Sequence, residues 1–186
     1  MESGVQRYRD ALDLFGAIVE RVRDDRWDNP SPCTGWSARA VVGHVIHGSR
    51  MILAIAAGAA PVPPATDPAS IAGDDPTGAW RARRAEIEQG LGRVDLDAEV
   101  ATLQGSLRVD DGLGQAAIEP LVHGWDLASA TGQSIQLPDH LVVPLLATLE
   151  PLDEVVRPSG MFADRQPVAN DASAQDRLLS FLGRRP

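Results

Sequence analysis

Val5, Leu12, Phe15, Val19 and Val22 recur near the 3.6-residue period with arginines and acids between them, so the chain is expected to begin with an amphipathic helix of about 20 residues. In "DDRWDNPSPCTGW" Pro30, Pro32 and Gly35 break that pattern, and Ser37 or Thr34 can cap a second helix through "SARAVVGHVIHGSRMILAIAAG", ending at Gly58. The second helix is apolar almost all round and is expected at the centre of the fold. Prolines and small residues make "AAPVPPATDPASIAGDDP" a surface loop, after which helix resumes at "TGAWRARRAEIEQGLG". Weak alternation about Gly105 and Ser106 in "DAEVATLQGSLRVDDGLG" suggests a short hairpin or an irregular crossover. A fourth helix carries "AIEPLVHGWDLASATG" to Gly132. A fifth, "PDHLVVPLLATLEPLDEVV", holds Pro144 and Pro151 and should kink or break at both, and "SAQDRLLSFLG" forms a sixth.

This pattern predicts an all-α fold, a four-helix bundle with a short irregular or hairpin crossover and extra C-terminal helices. The expected organisation is a single domain over residues 1–186, with a bundle core over about 1–155 and a C-terminal tail over about 156–186. A hydrophobic content of 44% is enough to fill one core.

Charge narrows the partners. With 26 acidic against 17 basic residues the net charge is −9, which repels phosphate backbones and anionic lipid, so neither nucleic acid nor a membrane surface is expected as a partner. A small molecule or another protein remains, a second copy in a homodimer included. All 17 basic residues are arginine. Without lysine the chain has no Schiff-base nucleophile, no pyridoxal-phosphate anchor and no Walker-type phosphate loop. The single cysteine, Cys33, forms no internal disulfide, the start "MESGVQRYRDALDLF" lacks the pattern of a secretion signal, and no run approaches the ~20 apolar residues of a membrane span. The expected location is cytoplasmic.

The fourth helix is where chemistry enters. At roughly 100° per residue, Glu119 and His123 fall about 40° apart and Asp126 about 60° to the other side of His123, so the three share one face. A Glu and a His four apart more commonly make a hydrogen bond or a solvated contact. The odds change because His44 and His47 lie on the apolar second helix, where an imidazole is costly to bury without a partner. One histidine of the second helix with Glu119 and His123 would make a two-His, one-carboxylate set for Zn²⁺ or another divalent ion, with a coordination position left open. Asp126 would then accept an imidazole N–H, or act as a structural cap. Pro120 removes a backbone donor inside this helix and disfavours α geometry at Glu119, so a kink is expected there.

The segments "PSPCTGWSARAVVGHVIHGSR" and "EPLVHGWDLASATGQ" resemble the two metal-site segments of the DinB-like superfamily, specifically the metal-binding domain of mycothiol-dependent maleylpyruvate isomerases. The likeness extends over essentially the whole chain, toward a largely uncharacterised actinobacterial branch. Its most specific elements are Trp36 eight residues before His44, and the string Glu119, His123, Asp126, Leu127. The resemblance implies His44, Glu119 and His123 as ligands, choosing His44 over His47. It implies a divalent metal, Zn²⁺ first with Ni²⁺, Fe²⁺ or Mn²⁺ as alternatives, and mycothiol as cosubstrate. Full isomerases of this type carry a further C-terminal domain, so isomerisation itself is not implied.

Two function classes follow. One is a metal-dependent enzyme that activates a low-molecular-weight thiol for S-transfer to an electrophile or for isomerisation; the other is a metal-binding or small-molecule-binding protein without turnover. In the first, His47 could hydrogen-bond a substrate or act as a general base, although a structurally satisfied histidine is the commoner case, and Arg50, one turn on, could recognise a carboxylate. The remaining signals have plain readings: "GLGQAA" as the loop entering the fourth helix rather than a dinucleotide motif, Cys33 as a reduced, partly buried structural residue, and the arginines of "WRARRAEIE" as a solvated helix face.

Overall fold

The computed structural model describes residues 2–60, 62–102, 105–159 and 162–186. The chain divides into two compact units, Met1–Ser134 and Ile135–Pro186.

The first unit is built on helices α1 (Gly4–Val19), α2 (Ala38–Ala56) and α4 (Pro76–Leu91), and on the consecutive pair α5 (Val109–Ala116) and α6 (Ile118–Thr131). Helix α1 packs on α4, α5 and α6, and α2 packs on α4 and α6, which closes a four-helix bundle. The predicted apolar stripe of α1 turns inward at Val5, Leu12, Phe15 and Val19, which are buried, joined by Tyr8 and Ile18, whereas the helix stops at Val19 and Val22 lies beyond it, half-buried. Phe15 meets Trp80 of α4 edge-on at 4.7 Å between ring centres. The Asp110 carboxylate accepts the N–H groups of Gly4 and Val5 at 2.9 and 2.8 Å, so α5 caps the free end of α1. Ser37, one of the two proposed caps of α2, accepts the Ala40 N–H.

Two departures from expectation concern loops. Inside the proline-rich stretch lies a short helix, α3 (Pro68–Ala72), because Asp67 accepts the Ala69 N–H and Pro68 occupies the first turn, where its missing donor costs nothing. It packs on α2 at Gly43, where an added Cβ would sit 1.7 Å from the Pro68 carbonyl oxygen. "GLGQAA" is not a loop either: its first five residues finish helix α5. The crossover is the antiparallel hairpin of β1 (Glu99–Thr102) and β2 (Gly105–Arg108), with Val100 opposite Leu107; residues 103 and 104 at its tip lie outside the described residues.

The predicted fourth helix is two helices. The break at Ala117 makes Pro120 the third residue of α6, in the turn whose N–H groups lack intrahelical partners in any case. The expected kink is thereby replaced by a helix start, and Glu119 lies in a first turn, where the helix dipole favours a negative charge.

The second unit holds α7 (Asp139–Leu149), α8 (Asp153–Val156) and α9 (Ala174–Phe181), with α7 packed on α9. Pro144 is accommodated inside α7, whereas at Pro151 the chain passes into a 3₁₀ turn over Glu150–Leu152. Among the described residues no helix is long and apolar enough to cross a membrane.

Candidate functional site

The site lies in the first unit, between the loop before α2, the first half of α2 and the first turns of α6. The loop is fixed by backbone pairing: the Ser31 N–H reaches the Trp36 carbonyl at 2.9 Å, and the Trp36 N–H returns to the Cys33 carbonyl at 2.9 Å. Gly35, third in that turn, has φ +81°, a value that favours glycine. Asn29 donates to the Ala130 carbonyl at 2.9 Å and so holds the loop against α6.

Three aromatic rings meet there. His44 and His123 are 4.8 Å apart, edge to face, and Trp36 lies 4.6 Å from His44 and 6.0 Å from His123. His44 Nε2 is 3.6 Å from Glu119 Oε1, beyond hydrogen-bond reach. Glu119 Oε1 is buried and has no hydrogen-bond partner. Its carboxylate lies against the backbone of α2 at Gly48, where an added Cβ would fall 1.7 Å from that same oxygen. Burial pushes the Glu119 carboxyl above its usual range, partly offset by His123. Burial likewise lowers His44 to about 4, helped by His123 and His47 and opposed by Asp126, so the imidazole is neutral near pH 7, as a metal ligand must be.

The opposite edge of His123 is different. Its Nδ1 is 3.0 Å from Asp126 Oδ2, and Asp126 is completely buried. Cys33 donates its S–H to the same Oδ2 at 3.2 Å, and its sulfur lies 3.8 Å from His123 Nδ1. Cys33, His123 and Asp126 each offer a ligand atom within 4.8 Å of the others, a cluster able to hold a metal ion.

Thus His44, Glu119, His123 and Asp126 come together, as does Cys33, expected from the sequence to be structural. The signal for Cys33 was its place three residues before Trp36, but its nearness to α6 is a contact across 90 residues that no local pattern carries. His47 is half-buried one turn from His44, and its side chain makes no hydrogen bond among the described residues. Arg50 does not join the imidazoles; it lines a separate groove between α2 and α4. The arginines of α4 are not a simple solvated face either. Arg83 is buried, donating to Ser49 Oγ at 2.8 Å, and Arg84 pairs with Asp13 and Glu88.

Residues 8–128, which contain all of these groups, match the mycothiol maleylpyruvate isomerase N-terminal domain, and the chain belongs to that family. Two relatives from Mycobacterium tuberculosis, the uncharacterized protein Rv0738 of strain H37Rv and the uncharacterized protein MT0763 of strain CDC 1551, are each 30% identical over 176 residues, covering 94% of this chain and 93% of theirs. The crystal structure of the mycothiol-dependent maleylpyruvate isomerase is similar in fold, with a TM-score of 0.63 at 16% identity over 78% of this chain and 68% of that one. A mutant form of that isomerase gives 0.58 at 16% identity, over 88% and 73%.

Proposed function

We propose that the chain is a divalent-metal-dependent enzyme that activates a low-molecular-weight thiol, of the mycothiol type, for S-transfer or isomerisation, with His44, Glu119 and His123 as the metal ligands. The observation that carries this reading is the orphaned Glu119 Oε1. A buried carboxylate oxygen without a partner is costly, and here it faces the neutral imidazole of His44 across a gap too wide for a hydrogen bond. A cation between them would satisfy both, and the donor set suits zinc. The same set is compatible with Ni²⁺, Fe²⁺ or Mn²⁺.

A divalent ion so held supplies Lewis acidity, which lets a thiol ionise near neutral pH. The protein's own contributions are separate. Asp126, buried and 3.0 Å from Nδ1, accepts the proton on that nitrogen and so leaves Nε2 of His123 with its lone pair free for a metal. Trp36 covers one side of both imidazoles and limits water there. Gly48 leaves the space in which the Glu119 carboxylate is seated. His47, one turn beyond His44, would receive or hold a proton of a thiol or electrophile, and two small-molecule substrates are the expected partners.

A second reading rests on the cluster of Cys33, His123 and Asp126, which would bind a metal at the other edge of His123 without an enzymatic role. The two are separated by metal analysis of protein purified without an affinity tag. Under the proposed reading His44→Ala loses the ion while Cys33→Ser keeps it, and thiol consumption with an electrophile follows metal content. Loss of the ion in Cys33→Ser with retention in His44→Ala would establish the second reading instead.

A further inference from the structure

Most arginines of this chain are neutralised or hydrogen-bonded. Arg9 pairs with Glu88, Arg39 with Asp28, Arg81 with Glu20, Arg84 with Asp13 and Arg108 with Asp97. Among the described residues Arg50 and Arg93 are the arginines whose side chains form neither an ion pair nor a hydrogen bond. Both line the same groove, of about 390 Å³, between α2 and the end of α4. In a chain of net charge −9, two guanidinium groups without an acidic partner at one groove concentrate positive charge there.

The third cation at the groove is Arg83, and it is built in rather than displayed. Its side chain is only 8% exposed. Nε donates to Ser49 Oγ at 2.8 Å, Nη1 meets Glu86 Oε2 at 2.8 Å, and Nη2 has no partner among the described residues. A guanidinium immobilised by two bonds, with a third nitrogen free, loses little freedom when it accepts an anion. The rest of the groove is aliphatic, with Leu53 from α2, Ala57 at its C-terminal cap and Val94 beyond α4.

We propose that this groove binds a small organic anion, a carboxylate or phosphate head on an apolar body, with the head between Arg50 and Arg93 against Arg83 and the body along Leu53, Ala57 and Val94. Planar guanidinium groups bind such oxyanions through paired, charge-assisted hydrogen bonds. The aliphatic stretch beside them selects an organic anion over an inorganic one. None of the residues of the metal site lines this groove, so the inference stands independently of the reading above.

The test is calorimetric titration of the full chain with sodium hexanoate, hexyl phosphate, inorganic phosphate and 1-hexanol, at ionic strength matched with sodium chloride. At least one of the two organic anions should bind saturably at one per chain, roughly tenfold or more tighter than inorganic phosphate and than hexanol, and the tighter of the two names the head group. Arg50→Ala and Arg93→Ala, both exposed positions, should each weaken that binding about tenfold or more with an unchanged thermal midpoint. The proposal is overturned if neither organic anion binds saturably, if hexanol binds as tightly as the anions, or if both variants bind like the parent chain.

Discussion

On one edge of His123 every polar group is answered: Nδ1 faces Asp126, Asp126 receives the Cys33 S–H, and all three interlock at 3.0–3.8 Å. On the other side His44 and Glu119 approach to 3.6 Å and stop, and Glu119 Oε1 is left with no partner. The two halves contain similar chemistry, imidazole with carboxylate, and differ in satisfaction. A satisfied half rigidifies and orients; an unsatisfied half stores an unfavourable free energy that a ligand can release. Under the proposed reading the difference would give orientation to Asp126 and ligand capture to Glu119.

The strongest way to break that assignment is to remove the residue shared by both halves. His123→Ala should lower metal affinity by more than about a hundredfold, leaving the isolated protein essentially without metal by mass spectrometry. Full metal content in this variant would divorce His123 from the site. Gly48→Ala comes next, because its Cβ would meet Glu119 Oε1 at 1.7 Å. The carboxylate must shift, and a loss of about 2 kcal/mol in folding stability, read by denaturant titration, should accompany weakened metal binding. An unaffected Gly48→Ala would mean that Glu119 has another seat.

Asp126→Asn should act more gently, lowering affinity by about tenfold while the ion stays bound at micromolar protein, since the asparagine disturbs the imidazole without removing a ligand. Metal loss as complete as in His123→Ala would make Asp126 a ligand. The smallest effect sharpens the comparison most. In metal-free protein Glu119→Gln should be stabilising by about 1 kcal/mol, because it replaces a buried charge-bearing group that has no partner. A destabilised metal-free Glu119→Gln would show that the carboxylate is already satisfied in the absence of metal.

Much of this arrangement was legible in the sequence, and where it was not the reasons are physical. The α1 stripe and the apolar α2 carry the bundle in their periodicity, and the shared face of Glu119, His123 and Asp126 follows from helical spacing alone. Helix α3 was hidden because a capping Asp67 and a first-turn Pro68 look, in composition, like more loop. Pro120 was read as an interior proline because the break that precedes it, at Ala117, has no glycine or polar cap to announce it. The burial of Arg83 and the approach of Cys33 to His123 are tertiary facts, set by Ser49 on a different helix and by a loop 90 residues away.

Trp36 has a consequence of another kind. Its indole is 4.6 Å from His44, whereas the other tryptophans, Trp27, Trp80 and Trp125, are not stacked on either imidazole of the site. An indole excited next to an imidazole is sensitive to that ring's charge and to any ion bound by it: a protonated ring accepts an electron from the excited state, and a bound ion changes the field in which the indole emits. Under the proposed reading the protein would carry a built-in optical gauge: a change in the occupancy of the site would be written into the emission of one residue, and Trp36→Phe would silence the signal while the other three tryptophans continue to report the fold.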